Sequence, residues 1–159
     1  MPTPEEIVIG ALQKLDVPYE LIDIDPRSAD TAAFCQKYGY PAERSCNTII
    51  VASKKEPKIY VACVVLAHTR LDVNKRVTKL IGVSKASFAS AEEMIALTGM
   101  QVGGVTPFSL PTGVPLYIDD RIMVLDWIIL GGGGRNLKIK TSPEVFPKLG
   151  AEVVWGLAM

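Results

Sequence analysis

Between Gln101 and Pro115 the chain places Gly103, Gly104, Pro107, Pro111, Gly113 and Pro115. Prolines at that spacing forbid regular helix and remove too many ladder N–H groups for a central strand. The stretch is long, irregular and apolar, which suits a packed lid or a pocket wall better than a solvated loop. Gly103 and Gly104 let the backbone approach a ligand closely, and Pro107 fixes the bend behind them. An ordinary turn between a helix and a strand is the competing reading.

The flanking segments supply the rest of a core. Thr3-Pro4-Glu5-Glu6 is a capping box, and Ile7, Val8, Ala11, Leu12 and Leu15 follow on one helical stripe. Tyr19 to Ile24 alternates like a half-buried strand. A short helix is expected from Asp30 to Tyr38, stopped by Gly39. Asn47–Ala52 and Lys58–Leu66 read as strands joined by a polar turn, the second apolar on both faces and therefore central. Asp72 caps a helix that ends at Gly82, and Ser90 opens another that ends at Gly99. Leu116–Asp119 and Ile122–Leu125 read as strands about a tight turn. Trp127–Leu130 and Asn136–Lys140 read as a second pair, joined by Gly131-Gly132-Gly133-Gly134-Arg135. A short helix after Thr141 and a closing strand at Ala151–Trp155 complete the chain. Strands mixed with irregularly spaced helices predict an α+β (mixed α/β) fold, with a curved mixed sheet or open barrel flanked by helices.

The 159 residues, 48% of them hydrophobic, predict one domain over 1–159 with an ample core. Seventeen basic residues balance seventeen acidic ones. That balance excludes a polybasic nucleic-acid binder but leaves room for a local basic patch. No apolar run approaches the ~20 residues that span a bilayer, and the first residues lack the features of a secretory signal. A cytoplasmic protein without membrane or DNA partners is expected. Cys35, Cys46 and Cys63 are scattered and His68 is the sole histidine, so no metal site and no cofactor is expected.

No Ser/His/Asp or Cys/His set is evident. A hydrolase built this way would act on an easily broken bond, with backbone donors and the substrate's own hydroxyls supplying most of the stabilisation. The tetraglycine reads either as a wide, flexible hairpin turn or as a run of N–H donors for an anion. Arg70, Lys75, Arg76, Lys79 and Lys85 form either a solvated helix face or a phosphate-backbone contact. His68 reads as a strand-end histidine or a base.

An ordered set of motifs resembles the YbaK family, freestanding relatives of the editing (INS) domain of bacterial prolyl-tRNA synthetase. The set is Asn47-Thr48-Ile49-Ile50-Val51, Ala89-Ser90-Ala91-Glu92-Glu93 with Thr98-Gly99, Gly103-Gly104-Val105-Thr106-Pro107-Phe108, and Leu116-Tyr117-Ile118-Asp119. The resemblance implies hydrolysis of the ester that joins a wrong small amino acid to tRNA. It implies that Gly103 to Pro107, with Gly104 and Thr106, wall the aminoacyl pocket. Asp119 matches the end of the family's Y-x-D strand, and Gly132, Gly133 and Gly134 match a glycine segment beside the pocket. His68 joins these as a candidate substrate contact. Arg70, Lys75, Arg76, Lys79 and Lys85 are the candidate tRNA contacts, with the acceptor end of aminoacyl-tRNA as partner and a synthetase as a possible second one.

The chain departs from the family at one position. Many relatives carry a lysine where this chain has Asn47, which keeps hydrogen-bonding capacity and loses the charge. Lys54 and Lys55 are no substitute, because seven residues of strand span roughly 23 Å. Three outcomes stand. Asn47 supports an altered mechanism, one of Arg70, Lys75, Arg76 and Lys85 reaches in, or catalysis is lost and a non-catalytic tRNA- or aminoacyl-binding module remains.

Overall fold

The computed structural model describes residues 1–159. In chain order the elements are α1 (Pro4–Gln13), β1 (Tyr19–Asp23), α2 (Thr31–Tyr38), β2 (Cys46–Ser53), β3 (Tyr60–Leu66), α3 (Thr78–Ile81), β4 (Ala86–Phe88), α4 (Ala91–Thr98), β5 (Leu116–Asp119), β6 (Ile128–Gly131), β7 (Leu137–Thr141), α5 (Val145–Lys148) and β8 (Glu152–Val154). Both capping boxes form. Thr3 and Ser90 accept from the backbone N–H of Glu6 and Glu93, whose carboxylates reach back to the cap N–H groups. Gly39, Gly82 and Gly99 end their helices in the left-handed conformation.

The strands make two sheets. One is antiparallel, in the order β1-β7-β6, and the other is mixed, in the order β4-β2-β3-β5-β8. In the mixed sheet β2 runs antiparallel to β3 and β4, while β3, β5 and β8 are mutually parallel along the sheet. A parallel bridge between Ser45 and Ile129 brings the start of β2 beside β6. Neither sheet closes into a barrel.

Side-chain alternation decides where the cores sit. Ala62, Val64 and Leu66 of β3 enter the main core, with Val8 and Leu12 of α1, Ile50, Met94, Phe108, Ile118, Leu130, Ile139 and Phe146. Val61, Cys63 and Val65 face the other way, into a second core roofed by residues 71–83 and the C-terminal Leu157 and Ala158. β3 is thus buried on both faces, as its unbroken apolar run predicts.

Three elements depart from the sequence expectations. Ile122–Leu125 is not a strand: Asp120–Ile122 is a 3-10 turn, Ile122 is buried and Val124 is exposed. Both edges of β5 are already taken by β3 and β8, so a hairpin partner has no place to pair. The short β4 carries no sequence signal of its own, and pairs only with Val51–Ser53 of β2. Residues Val73–Val77 wind as π-helix, with Val77 N–H reaching the Asp72 carbonyl, before α3 takes over.

Candidate functional site

Consecutive residues of β2 line one cavity because part of that strand's edge is left open. β3 pairs with one edge of β2 from Cys46 to Ala52. On the other edge β4 covers only Val51–Ser53, and β6 touches only the approach at Ser45. Between them lies a cavity of about 450 Å³, within the roughly 300–1,000 Å³ of small-ligand sites. Its walls are Cys46–Ile50, the start of α2 at Asp30–Ala32, Phe88–Ala89 with Met94 of α4, and Val102, Gly103 and Val105, with Gly131 and Lys138 from the β6–β7 hairpin. The glycine-proline segment and the strand at Asn47 therefore face each other across a hollow.

The segment is held by a backbone-to-backbone seat. Gly104 and Gly133 exchange contact through a 2.7 Å hydrogen bond from Gly133 N–H to the Gly104 carbonyl, and Gln101 N–H donates to the Gly133 carbonyl at 2.9 Å. A Cβ on Gly104 would meet the nitrogen of Gly134 at 2.7 Å, and one on Gly131 would meet the Val105 carbonyl oxygen at 2.7 Å. All four glycines from Gly131 to Gly134 are buried. The tetraglycine is consequently neither a loose turn nor an open anion cradle. It is the surface on which the cavity wall rests.

Polar groups collect at one part of the cavity. The Thr31 hydroxyl donates to Asn47 Oδ1, which leaves the Asn47 amide NH₂ with no acceptor in the protein. Thr48 Oγ1 is buried and has no partner. Gly103 N–H donates to nothing within the chain. Lys138 is only 4% exposed. Its Nζ donates to the Gly103 carbonyl at 3.0 Å and lies 5.5 Å from the centroid of the Phe34 ring. Burial pushes the Lys138 ammonium down to about 8, with Asp30 and Cys35 working against that shift and Arg135 adding to it. Asp30 caps α2 without a side-chain bond to the helix and pairs with Arg135 at 3.6 Å. Cys46 also lines the cavity, but burial holds its thiol far above the usual range, so it stays protonated.

Of the sequence candidates, Asn47 and Gly103 line the cavity. Gly104, Gly132, Gly133 and Gly134 form the seat behind it, and Thr106 and Pro107 are buried outside its lining. Asp119 is buried at the end of β5, outside the lining, with Arg121 Nε at 3.0 Å. Burial raises its pKa and Arg121 opposes that rise. His68 is exposed after β3. Arg70, Lys75, Arg76, Lys79 and Lys85 do not line the cavity. Arg70 pairs through its backbone with Met159, and Arg76 Nε donates to the Trp155 carbonyl, on the side of the second core. None of Arg70, Lys75, Arg76 and Lys85 therefore reaches in to replace a charge at position 47. The cation that does line the cavity is Lys138, from β7, and sequence reasoning missed it. The alternation of Leu137-Lys138-Ile139-Lys140 gives no sign of burial for Lys138, which Phe34 of α2 and the Gly103 segment cover.

The model of the aminoacyl-tRNA editing domain matches residues 25–149, which takes in every wall of this cavity. The chain belongs to the aminoacyl-tRNA editing domain family. Among its editing-domain relatives is EbsC of Enterococcus faecalis, named "Putative Cys-tRNA(Pro)/Cys-tRNA(Cys) deacylase EbsC", 26% identical over 137 residues, or 84% of this chain and 80% of that protein. The uncharacterised protein YwhH of Bacillus subtilis is 23% identical over 136 residues, 86% of this chain and 84% of the other. Among solved structures, that of the hypothetical protein APE2540 superposes with a TM-score of 0.85 at 25% identity, covering 97% of this chain and all of that one. A structure described as "a putative trans-editing enzyme for prolyl tRNA synthetase" gives a TM-score of 0.81 at 23% identity, covering 97% of this chain and 96% of that one, and so shares the fold.

Proposed function

We propose that this chain is an aminoacyl-tRNA deacylase acting in trans, as one editing unit, on the ester of a small amino acid attached to the wrong tRNA. The observation that carries this reading is the hollow between Gly103 and Asn47, in a chain of the editing family. Its apolar part, with Ile50, Ala89, Met94 and Val105, suits a small side chain. Its polar part offers the Gly103 N–H and the Asn47 amide, both without acceptors in the protein. These can hold the ester and the terminal ribose while water attacks, and an activated ester needs no covalent nucleophile. Asn47 then acts as a neutral donor at the position where the family resemblance implies a lysine in many members. The acceptor end of the tRNA, in the cytoplasm, is the partner, and a synthetase is a candidate second partner for a chain of neutral net charge.

The experiment is a panel of aminoacylated tRNAs incubated with purified protein, with and without Asn47→Ala. Cleavage of at least one mischarged species, slowed by Asn47→Ala, supports the reading. Binding of aminoacyl-adenosine without cleavage of any species, with cleavage gained in Asn47→Lys, replaces it with a non-catalytic binding module.

A further inference from the structure

We propose that Lys138 is the catalytic cation of this cavity: its ammonium holds the carbonyl oxygen of the scissile ester and the negative charge that gathers there as water adds. This deepens the deacylase reading and rests on it.

Lys138 buries a charge that the fold does not need. Lys138 is 4% exposed and has no carboxylate within ion-pair distance. Burying an unpaired ammonium is costly, and a single carbonyl, that of Gly103, is the one acceptor it finds in the protein. An ammonium has three N–H groups, so two remain for a ligand. The side chain lines the cavity, as does Gly103, whose N–H has no partner in the protein. Two donors without full complements, the ammonium and the Gly103 N–H, thus belong to residues that line one hollow, and an oxyanion needs such donors. Arg135, the cation whose charge acts on Lys138, is occupied by the Val102 carbonyl and by Asp30.

The step is simple in its balance. The oxygen of a water bonds to the carbonyl carbon, and the carbonyl π pair moves onto the oxygen beside Lys138. That pair returns as the bond to the ribose oxygen breaks. The ribose oxygen takes one proton of the water, and the other is released as the new carboxylic acid ionises. Lys138 gives up no proton and forms no covalent bond. The titratable and charged groups facing it are Asp30, Cys35, Cys46 and Arg135. With its pKa near 8 the ammonium is charged at neutral pH and lost above it.

The test compares wild type with Lys138→Met and Lys138→Arg on the cleaved tRNA species, subtracting enzyme-free hydrolysis at each pH. Lys138→Met should lose about 10²–10³ in kcat with little change in KM. Wild-type kcat/KM should fall above pH 8, and Lys138→Arg should lack that fall. A Lys138→Met kcat within threefold of wild type overturns the proposal and leaves the deacylase reading intact. If Lys138→Met does not fold, Lys138→Arg decides, and an unchanged fall above pH 8 overturns the proposal. If wild type cleaves no species, the turnover reading fails separately. A phosphonate analogue of aminoacyl-adenosine, whose tetrahedral oxyanion mimics the water adduct, then tests the contact: at least tenfold weaker binding by a folded Lys138 variant upholds it, and equal binding or none by wild type overturns it.

Discussion

Gly104 and Gly10 show how the same residue type serves opposite ends. Gly104 has no positive φ, so its need is for space: a methyl there meets the backbone of Gly133 and Gly134. Gly104→Ala should destabilise the protein by about 3 kcal/mol in urea unfolding, because backbone cannot step aside as a side chain can. A Cβ on Gly10, in the middle of α1, meets nothing within 4 Å. Gly10→Ala should therefore stabilise by about 0.5–1 kcal/mol in the same assay. Lys138 adds a pH signature of stability. Its folded pKa, near 8, lies below its ordinary value of 10.5, so between those values the unfolded chain binds more protons than the native one. Wild type should gain stability relative to Lys138→Met as pH rises from 8 to 10.5, and thermal unfolding across that range would show it. Residue identity announced the wall at Gly103, and the resemblance to the family announced the departure at Asn47. Neither could announce Lys138, whose ammonium is covered by the Phe34 ring of α2 and by the Gly103 segment, both distant in sequence.

At the level of elements, local rules carried far. Both capping boxes, the three left-handed glycine stops and the β6–β7 hairpin follow from short-range chemistry and form as the residues predict. The β4 strand and the failed strand at Ile122–Leu125 were illegible for one reason: strand pairing depends on which edges are free, and that is settled by distant segments. The same rule makes the cavity, which exists because β4 stops short along β2. The helix α4 then brings Met94 to the cavity wall, with Ser90 as its cap. Met94→Ala should enlarge the apolar part and shift selectivity toward larger aminoacyl groups by about 1–3 kcal/mol, read as the ratio of kcat/KM between two charged tRNAs. An unchanged ratio would put the amino-acid side chain elsewhere.

Across the whole molecule, the two sheets meet at the start of β2, and the cavity opens there, while the basic stretch from Arg70 to Lys79 roofs the second core. The basic stretch and the cavity are thus built on different parts of the fold, a separation that sequence proximity cannot reveal. If the basic stretch holds phosphates, replacing Lys75 and Arg76 by Gln should weaken tRNA binding and make its salt dependence shallower by about one unit of slope per lost contact. Cleavage of aminoacyl-adenosine, which lacks those phosphates, should not change. The deciding measurement mixes the purified wild-type protein with a panel of correctly charged and mischarged tRNAs. At least one tRNA bearing a wrong small amino acid should be deacylated well above the enzyme-free rate while its correctly charged form persists. Equal, background loss across the whole panel would contradict the deacylase reading.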